Sequence, residues 1–266
     1  MSLLTRQSLV RLARKYDALI VTDDVYDFLQ WPISSTSPST LTHAVLPRLV
    51  DVDRVLEPAP GPDDFGNAFS NGSFSKIAGP GIRTGWAEGT PKFVYGLSQC
   101  GSTRSGGSPS QLAATIVNVL LSSGALSTHI ETVLKPAFQK RHRVMMHAIK
   151  KDLVPLGITV TEGSLPGTDV FGGYFLWIEL PSTLDAEVVT ALCKKEENLI
   201  VAPGKIFEVQ GDESVAFPSS VRLCFSHEEE ADLQEGVARL ARVVKRILEG
   251  EIDVGAVAKQ DTAAFQ

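Results

Sequence analysis

The sequence contains no long hydrophobic run. Its apolar stretches, for example 18–21 and 174–178, are far shorter than the roughly 18 residues that a membrane helix requires, so we expect no membrane span. The first residues also lack the basic start, apolar core and small-residue cleavage site of a secretory signal, which predicts a cytoplasmic location. Only three cysteines are present, and the absence of Cys-x-x-Cys spacing favours reduced thiols.

The sequence also has no excess of basic residues. It carries 25 Lys and Arg against 31 Asp and Glu, a formal net charge of −6, which argues against a nucleic-acid or anionic-membrane surface. Its five histidines show no metal-ligand spacing with carboxylates or cysteines, so we expect no metal site. The remaining composition, with 43% hydrophobic and 21% charged residues, is that of a globular protein with one large domain or two modest ones.

The first part of the chain has the pattern of an α/β domain. An amphipathic helix is predicted over 5–16, followed by a continuous apolar run over 18–22 that is typical of a strand buried on both faces in a parallel sheet. A second strand is predicted over 68–73, and the apolar run 84–87 follows a Gly/Pro-rich loop. Between them, six prolines in 32–62 predict a long surface segment, with regular structure only around 43–50.

The last part of the chain mixes helices and strands in a way that suggests a smaller α+β domain after a long helix. The predicted helices are 91–99, 108–121, 126–153, 184–198 and 228–248. The predicted strands lie near 158–161, 174–179, 199–202 and 221–225. We therefore predict a cofactor domain over 1–125, a linking helix and small domain over 126–250, and a tail over 251–266.

Polar residues that could carry chemistry follow the first two predicted strands. Asp23 and Tyr26 stand at the carboxyl end of the first strand, the edge where open α/β sheets bind ligands, although two acidic residues could simply end a strand. Lys76 follows the second strand and could be a Schiff-base nucleophile or a solvated surface lysine. Serines beside it and Arg83, across a glycine-containing loop, could bind a phosphate.

A single arginine interrupts the last predicted strand. Arg222 is the only charged residue in Val-Arg-Leu-Cys-Phe, which suggests a planar partner such as a carboxylate. An edge-strand arginine that points to water is an equally reasonable reading of this residue alone.

Together these motifs form an ordered set. Asp-x-x-Tyr follows one strand, Ser-Phe-Ser-Lys follows the next, Gly-Pro-Gly-Ile-Arg comes directly after, and an arginine lies in a late strand. In this order they resemble the class I/II aminotransferases among the fold-type I pyridoxal-phosphate enzymes, and within them the aminoadipate, kynurenine and aromatic aminotransferase branch. The resemblance runs from about residue 9 to about residue 248. It implies an α/β fold with a partial three-layer α/β/α cofactor domain followed by a smaller α+β domain.

The resemblance also implies a role for each candidate residue. Lys76 would form the Schiff base with the aldehyde of pyridoxal 5'-phosphate and then move the α-proton of the substrate. Asp23 would pair with the protonated pyridine nitrogen, which keeps the ring an electron sink, and Tyr26 would hydrogen-bond the 3-oxygen. The residues implied to hold the phosphate are Ser73, Ser75 and Arg83.

The implied reaction moves an amino group between an α-amino acid and a 2-oxo acid. Arg222 would bind the α-carboxylate of the amino acid. The resemblance further implies a homodimer, because the family builds its cofactor site across a two-fold interface.

The sequence departs from the family pattern in two ways. It lacks the Asn-Pro-x-Gly turn, the glycine-rich phosphate loop, the stacking aromatic ring and the asparagine that the family supplies earlier in the chain. The Pro-rich segment 32–62 also lengthens the spacing between Asp23 and Lys76. We therefore expect a fragment of a longer enzyme that binds the cofactor poorly by itself. The alternatives are a catalytically inactive truncated homologue that binds a partner, a β-lyase with the same cofactor, and the aminotransferase-like part of a transcription regulator, although no DNA-binding module is visible.

Overall fold

The protein, seen in a computed structural model, forms two compact units. Residues 1–34, 44–61, 63–104, 110–161 and 169–252 are described. The first unit holds the described residues up to Pro136 together with 169–173, and the second holds those from Ala137 to 161 together with 174–252. The predicted domain limits at 125 and 250 stay a prediction.

The first unit contains a sheet whose strands are β1 (Ile20–Asp23), β3 (Ala68–Ser73) and β4 (Gly85–Glu88). β3 lies in the middle, parallel to β1 and antiparallel to β4. In the β1–β3 register Asp23 stands opposite Asn71, so both strands end at the same edge of the sheet. The parallel pairing of β1 with β3 agrees with the α/β fold that the sequence predicts.

Two helices cover one face of this sheet. They are α1 (Leu3–Lys15) and α2 (Leu49–Val55). Val10 of α1 and Val52 of α2 pack with Ala68 of β3 in a buried apolar cluster. Ser2 caps α1, since its hydroxyl accepts a hydrogen bond from the Thr5 N–H, so the helix begins before the predicted residue 5.

The prediction that the first strand is buried on both faces is wrong. Val21 of β1 is 61% exposed, and Leu19 just before it is 44% exposed. Within the described part of the chain, β1 is an outer strand of its sheet and pairs with β3 alone. A continuous apolar run indicates that a strand is suited to burial, but the strand is buried on both faces only where other elements cover both faces.

The Pro-rich segment is more regular than predicted. Residues 35–43 and Pro62 lie outside the described residues, but α2 extends to Val55, beyond the expected 43–50. Just before it, β2 (Gln30–Pro32) pairs antiparallel with β6 (Val170–Gly172) in a two-stranded sheet that the sequence analysis did not predict.

Helices follow β4 in the predicted order. They are α3 (Pro91–Ser98), α4 (Gly101–Arg104), α5 (Gln111–Ser122), α6 (Ala125–His129) and α7 (Lys135–Ala148), with π-helical turns at Ile130–Leu134 and Ile149–Leu153. No single helix of the described residues is both long and apolar enough to span a membrane; α5 and the helical stretch to Leu156 meet that criterion only as a pair bent by 76°.

The second unit is built on a four-stranded antiparallel sheet. Its strands are β5 (Thr159–Val160), β7 (Phe175–Glu179), β8 (Ala202–Pro203) and β9 (Ser220–Cys224), in the order β5-β7-β9-β8. Its helices are α8 (Ala186–Glu197) and α9 (Glu230–Leu248). The strand predicted over 199–202 is therefore wrong in its limits, because the ladder with β9 begins only at Ala202.

Burial alternates along the two central strands of this sheet. Leu176 and Ile178 of β7 and Leu223 of β9 are buried, as are the inward side chains of α8 and α9. The intervening residues point to the other face of the sheet, where Trp177 of β7 stands opposite Arg222 of β9. The sheet therefore presents a polar and aromatic face on the side away from its buried core.

Candidate active site

The loop after β3 holds Lys76 in a closed turn. The Ser73 hydroxyl caps the 3₁₀ turn Phe74–Lys76 by accepting a hydrogen bond from the Ser75 N–H at 3.1 Å. The Phe74 N–H donates to the Thr84 carbonyl at 3.1 Å, and the Phe74 ring packs against that of Trp86, with centroids 4.8 Å apart. Lys76 is thus fixed between two paired strands, which is the rigid setting that a reactive side chain needs.

Tyr26 lies beside Lys76. The Lys76 Nζ is 5.8 Å from the centroid of the Tyr26 ring, and both residues are partly buried. Gly173 packs against the Tyr26 ring, and a Cβ added to this glycine would lie 3.5 Å from the nearest ring carbons. Gly173 also has φ +82°, a conformation that glycine adopts without strain. The structure therefore brings an amine and a phenol from two separate loops together.

The loop between β3 and β4 also gathers anion-binding groups. Arg83 has φ 51°, in the left-handed region, and its Nη1 donates to the Pro80 carbonyl at 2.9 Å and to the Ser75 hydroxyl at 3.4 Å. A guanidinium and a hydroxyl that share a contact can donate together to a phosphate. Such strain at a non-glycine residue is typical of functional loops.

Asp23 ends β1 at the edge of the sheet where β3 leads into the lysine loop. Its side chain is exposed, and its Oδ1 accepts a hydrogen bond from the Asn71 amide at 3.4 Å. The neighbouring Asp24 is turned to a different partner, since the Thr22 hydroxyl donates to it at 2.5 Å. Asp23 is therefore the carboxylate of this pair that is left open to a ligand.

Arg222 belongs to the second unit, where it lies on the aromatic face of the sheet. β9 has a strand on each side, so the alternative of an edge-strand arginine is wrong. The guanidinium carbon lies 4.0 Å from the Phe175 ring centroid and 4.4 Å from the Phe207 ring centroid. A guanidinium that contacts aromatic rings can still donate its N–H groups to a planar acceptor.

A charged cluster lines a separate cavity of the first unit. The cavity has a volume of about 930 Å³ and combines Phe28, Trp86 and Leu126 with acidic side chains. Burial, followed by the nearby Asp24 charge, raises the pKa of Asp27 to about 7. Arg48 lies 3.7 Å from Asp27 but donates its closer hydrogen bonds to Asp51 and Glu88. Asp27 is therefore the acid in this cluster whose charge is least compensated.

The structure thus unites six of the seven candidate residues in one unit. Lys76 approaches Tyr26, Ser75 approaches Arg83, and Ser73 forms the turn that holds them. Sequence reasoning missed Asn71 and Gly173, which contact Asp23 and Tyr26, because both contacts join segments far apart in the chain. No group of three His, Cys, Asp or Glu side chains able to hold a metal ion occurs among the residues that the structure describes.

The fold and this set of residues define the class of protein to which the chain belongs. The family model "Aminotransferase class I and II" matches residues 2–240, and the chain is a member of that family. It has the fold-type I aminotransferase fold, since it superposes with a TM-score of 0.70 on the α-aminoadipate aminotransferase LysN of Thermus thermophilus, solved as a complex with N-(5'-phosphopyridoxyl)-L-leucine. That structure is 25% identical, and the match covers 93% of this chain and 55% of LysN.

The chain is also similar to curated proteins. The uncharacterized protein YER152C of Saccharomyces cerevisiae is 40% identical over 245 residues, covering 92% of this chain and 52% of the relative. Aromatic-amino-acid aminotransferase 1 of Thermococcus litoralis is 26% identical over 247 residues, covering 90% of this chain and 49% of the relative. The chain therefore spans about half the length of the curated relatives that it matches.

Proposed function

We propose that this chain serves the pyridoxal-phosphate-dependent transfer of an amino group between an α-amino acid and a 2-oxo acid. The proposal is carried by one observation. The Lys76 Nζ lies 5.8 Å from the centroid of the Tyr26 ring, and the same loop holds the hydrogen bond between Arg83 and the Ser75 hydroxyl. These groups fit the cofactor chemically, because an amine, a phenol and a cation–hydroxyl pair match its aldehyde, its 3-oxygen and its phosphate. Membership of the aminotransferase family supports the same reading.

The cofactor, when bound, supplies a pyridinium ring that accepts electron density from the substrate carbon. In the proposed site Arg83, Ser75 and Ser73 would hold the phosphate, and Lys76 would hold the cofactor covalently until the amine of the substrate takes its place. The Lys76 amine released in that exchange would accept the α-proton of the substrate at Nζ and later donate it again.

The remaining side chains orient and tune this chemistry. The Asp23 carboxylate would keep a proton on the pyridine nitrogen, and the Tyr26 hydroxyl would donate to the 3-oxygen. Arg222 binds the α-carboxylate of the substrate, which orients the bond to the α-hydrogen. A 2-oxo acid presents the same carboxylate, so one arginine can serve both half-reactions.

The first test of this proposal is the site of covalent attachment. We expect borohydride reduction of the protein with pyridoxal phosphate, followed by peptide mass mapping, to label Lys76. Lys92 is a matched control, because its Nζ also lies near an aromatic ring, 4.9 Å from the Phe65 centroid, but it is exposed and outside the loop. Lys76→Arg should abolish the label and Lys92→Arg should leave it. A label on Lys92 with none on Lys76 would refute the proposal.

The second test separates transamination from β-lyase chemistry. We expect an α-amino acid and a 2-oxo acid to exchange their amino group, and β-chloroalanine to be a poor source of pyruvate and ammonia. Dominant release of pyruvate and ammonia would favour the lyase alternative.

We also propose that full activity needs more polypeptide than these 266 residues, because the chain covers 52% and 49% of two relatives. Several charge-assisted hydrogen bonds to the phosphate, each worth about 1.5–3 kcal/mol, would otherwise be missing. The assay should compare this chain alone with the chain joined to a segment that covers the remaining length of its relatives. Equal affinity for pyridoxal phosphate in the two samples would contradict this part of the proposal.

The proposed assembly is a homodimer in the cytoplasm. A site shared across a two-fold interface would make cofactor binding depend on association. The three free thiols, of which Cys100 and Cys224 are exposed, favour a reducing compartment. Sedimentation of the cofactor-loaded protein tests the dimer, and an active monomer would count against it.

A further inference from the structure

Two aromatic side chains from different elements meet the guanidinium of Arg222. Phe175 belongs to β7, and its ring centroid is 4.0 Å from the guanidinium carbon. Phe207 ends the 3₁₀ turn Gly204–Phe207, which follows β8, and its ring centroid is 4.4 Å away. The two contacts restrict the otherwise flexible arginine from two directions, since one ring is fixed in the sheet and the other comes from a turn.

The turn that carries Phe207 is itself held in place. Phe207 packs edge-on against Trp177, with centroids 5.6 Å apart. At the start of the turn Gly204 is pressed so closely against Phe217 that an added Cβ would lie 2.6 Å from the Phe217 backbone oxygen. Lys205 pairs with Glu187 of α8 at 2.6 Å. These contacts make Phe207 a defined wall of the Arg222 environment, although the residue is 36% exposed.

Arg222 lacks a carboxylate partner among the side chains that the structure describes. The structure shows the two ring contacts and no ion pair for this arginine, whereas Arg242 and Arg246 on the nearby helix α9 pair with glutamates of α8. An arginine that contacts two aromatic rings and has no internal acid at its N–H groups is prepared for a carboxylate from outside.

We propose that Phe207 is a positioning residue that holds Arg222 with its N–H edge presented to the carboxylate of the substrate. This inference deepens the proposed function and rests on Arg222 being the carboxylate-binding group. Phe207 does not touch the reacting atoms. It acts through Arg222, because its ring excludes side-chain conformations of the arginine that would otherwise be lost when the carboxylate binds.

The test follows the Arg222 side chain directly. In ¹⁵N-labelled protein the Nε–H signal of Arg222, assigned by its loss in Arg222→Lys, is titrated with pyruvate as the carboxylate probe. We expect pyruvate to shift this signal, and Phe207→Leu to raise the apparent Kd about fivefold, the order expected for losing one cation–π contact. Phe207→Tyr should restore the affinity to within about twofold, because tyrosine offers the same ring face.

A neighbouring variant separates positioning from a structural effect. Ile206→Ala changes an exposed side chain of the same turn, 62% accessible, and should leave both the Kd and the melting temperature unchanged. In the active holoenzyme Phe207→Leu should raise KM with little change in kcat. The inference is overturned if Arg222 does not respond to pyruvate, if Phe207→Leu binds like the wild type, or if Ile206→Ala weakens binding equally.

The pyruvate titration of Arg222 and the labelling of Lys76 can fail independently of each other. Failure to label Lys76 would refute the cofactor chemistry in the first unit, while the response of Arg222 to pyruvate is measured in the second unit without any cofactor.

Discussion

The carboxylate of Asp53 and the guanidinium of Arg14 form a buried ion pair, with Arg14 Nη2 2.9 Å from Asp53 Oδ1. Asp53 is 2% exposed, and its second oxygen accepts hydrogen bonds from the backbone N–H groups of Asn67 and Ala68. One side chain of α2 thereby joins α1 to the start of β3, the strand that leads into the lysine loop.

We expect Asp53→Ala to destabilise the protein by about 3 kcal/mol, because it leaves the Arg14 charge and two backbone donors without their acceptor. The free energy of unfolding in urea measures the effect. Glu196→Gln is the control, since it breaks an ion pair with Arg246 that is largely exposed and should cost less than about 1 kcal/mol. Similar losses in the two variants would show that the burial of Asp53 has no special consequence.

A second prediction concerns Gly72 in β3. A Cβ at this position would lie 2.1 Å from the Trp86 side chain, so Gly72→Ala must displace the indole. Because Trp86 packs on Phe74 at the start of the lysine turn, we expect a loss of about 1–3 kcal/mol together with a changed tryptophan fluorescence and weaker labelling of Lys76. Gly81→Ala in the same loop has open space around its Cβ and should change none of the three.

The charged cluster predicts opposite pH effects for two neighbouring aspartates. The pKa of Asp27 is about 7 in the folded protein and near 3.8 when unfolded, so its contribution to stability is lost as the pH rises from 3.8 through 7. We expect Asp27→Asn to stabilise the protein by about 1–2 kcal/mol at pH 8 and to have little effect near pH 4.

Asp51 provides the matched comparison. Burial alone would raise the pKa of Asp51, but hydrogen bonds from Arg48 outweigh it and hold that pKa below its usual value. Its stabilising contribution is therefore present above the unfolded pKa and lost in acid, so Asp51→Asn should destabilise at neutral pH. Thermal melts of both variants and the wild type from about pH 2.5 to 8 measure the two slopes, below about pH 4 for Asp51 and above it for Asp27, and slopes of the same sign would contradict the assignment.

The apolar face of α5 gives a further prediction. Leu112, Ile116 and Val119, spaced i, i+4 and i+7, are 77%, 55% and 62% exposed. An apolar stripe of this size promotes association, so we expect replacement of all three by Gln to reduce self-association in sedimentation experiments while the helix persists. Val117→Gln, at a buried position of the same helix, should instead lower stability. Unchanged association of the triple variant would show that this face is not an interface.

Local signals explain what the sequence predicted well. The lysine loop was predictable because its turn, cap and arginine come from residues 73–84. Helices such as α9 were predictable because their apolar residues recur at helical spacing along the whole element. The aminotransferase family was predictable because the motifs of the loop occur in a fixed order with Asp-x-x-Tyr. The roles of the individual residues stay a prediction until the covalent and binding experiments are done.

Non-local contacts explain what was missed. β2 and β6 have three residues each and lie far apart in the chain, so neither shows a period that a sequence window can detect. The exposure of Val21 depends on whether another layer covers β1, which the residues of β1 do not encode. The rings that contact Arg222 likewise depend on the register between β7 and β9 and on the turn after β8.

The central position of β3 has a consequence for hydrogen exchange. Its backbone is hydrogen-bonded to β1 in a parallel ladder and to β4 in an antiparallel ladder. The lysine loop connects β3 to β4, so only the antiparallel ladder closes it. Detachment of the exposed β1 would release Asp23 but leave the Ser73–Arg83 loop bonded within its hairpin. Amides of β1 should therefore exchange with solvent faster than those of the β3–β4 hairpin, so that the loop proposed to bind the phosphate stays ordered in states that have already released Asp23.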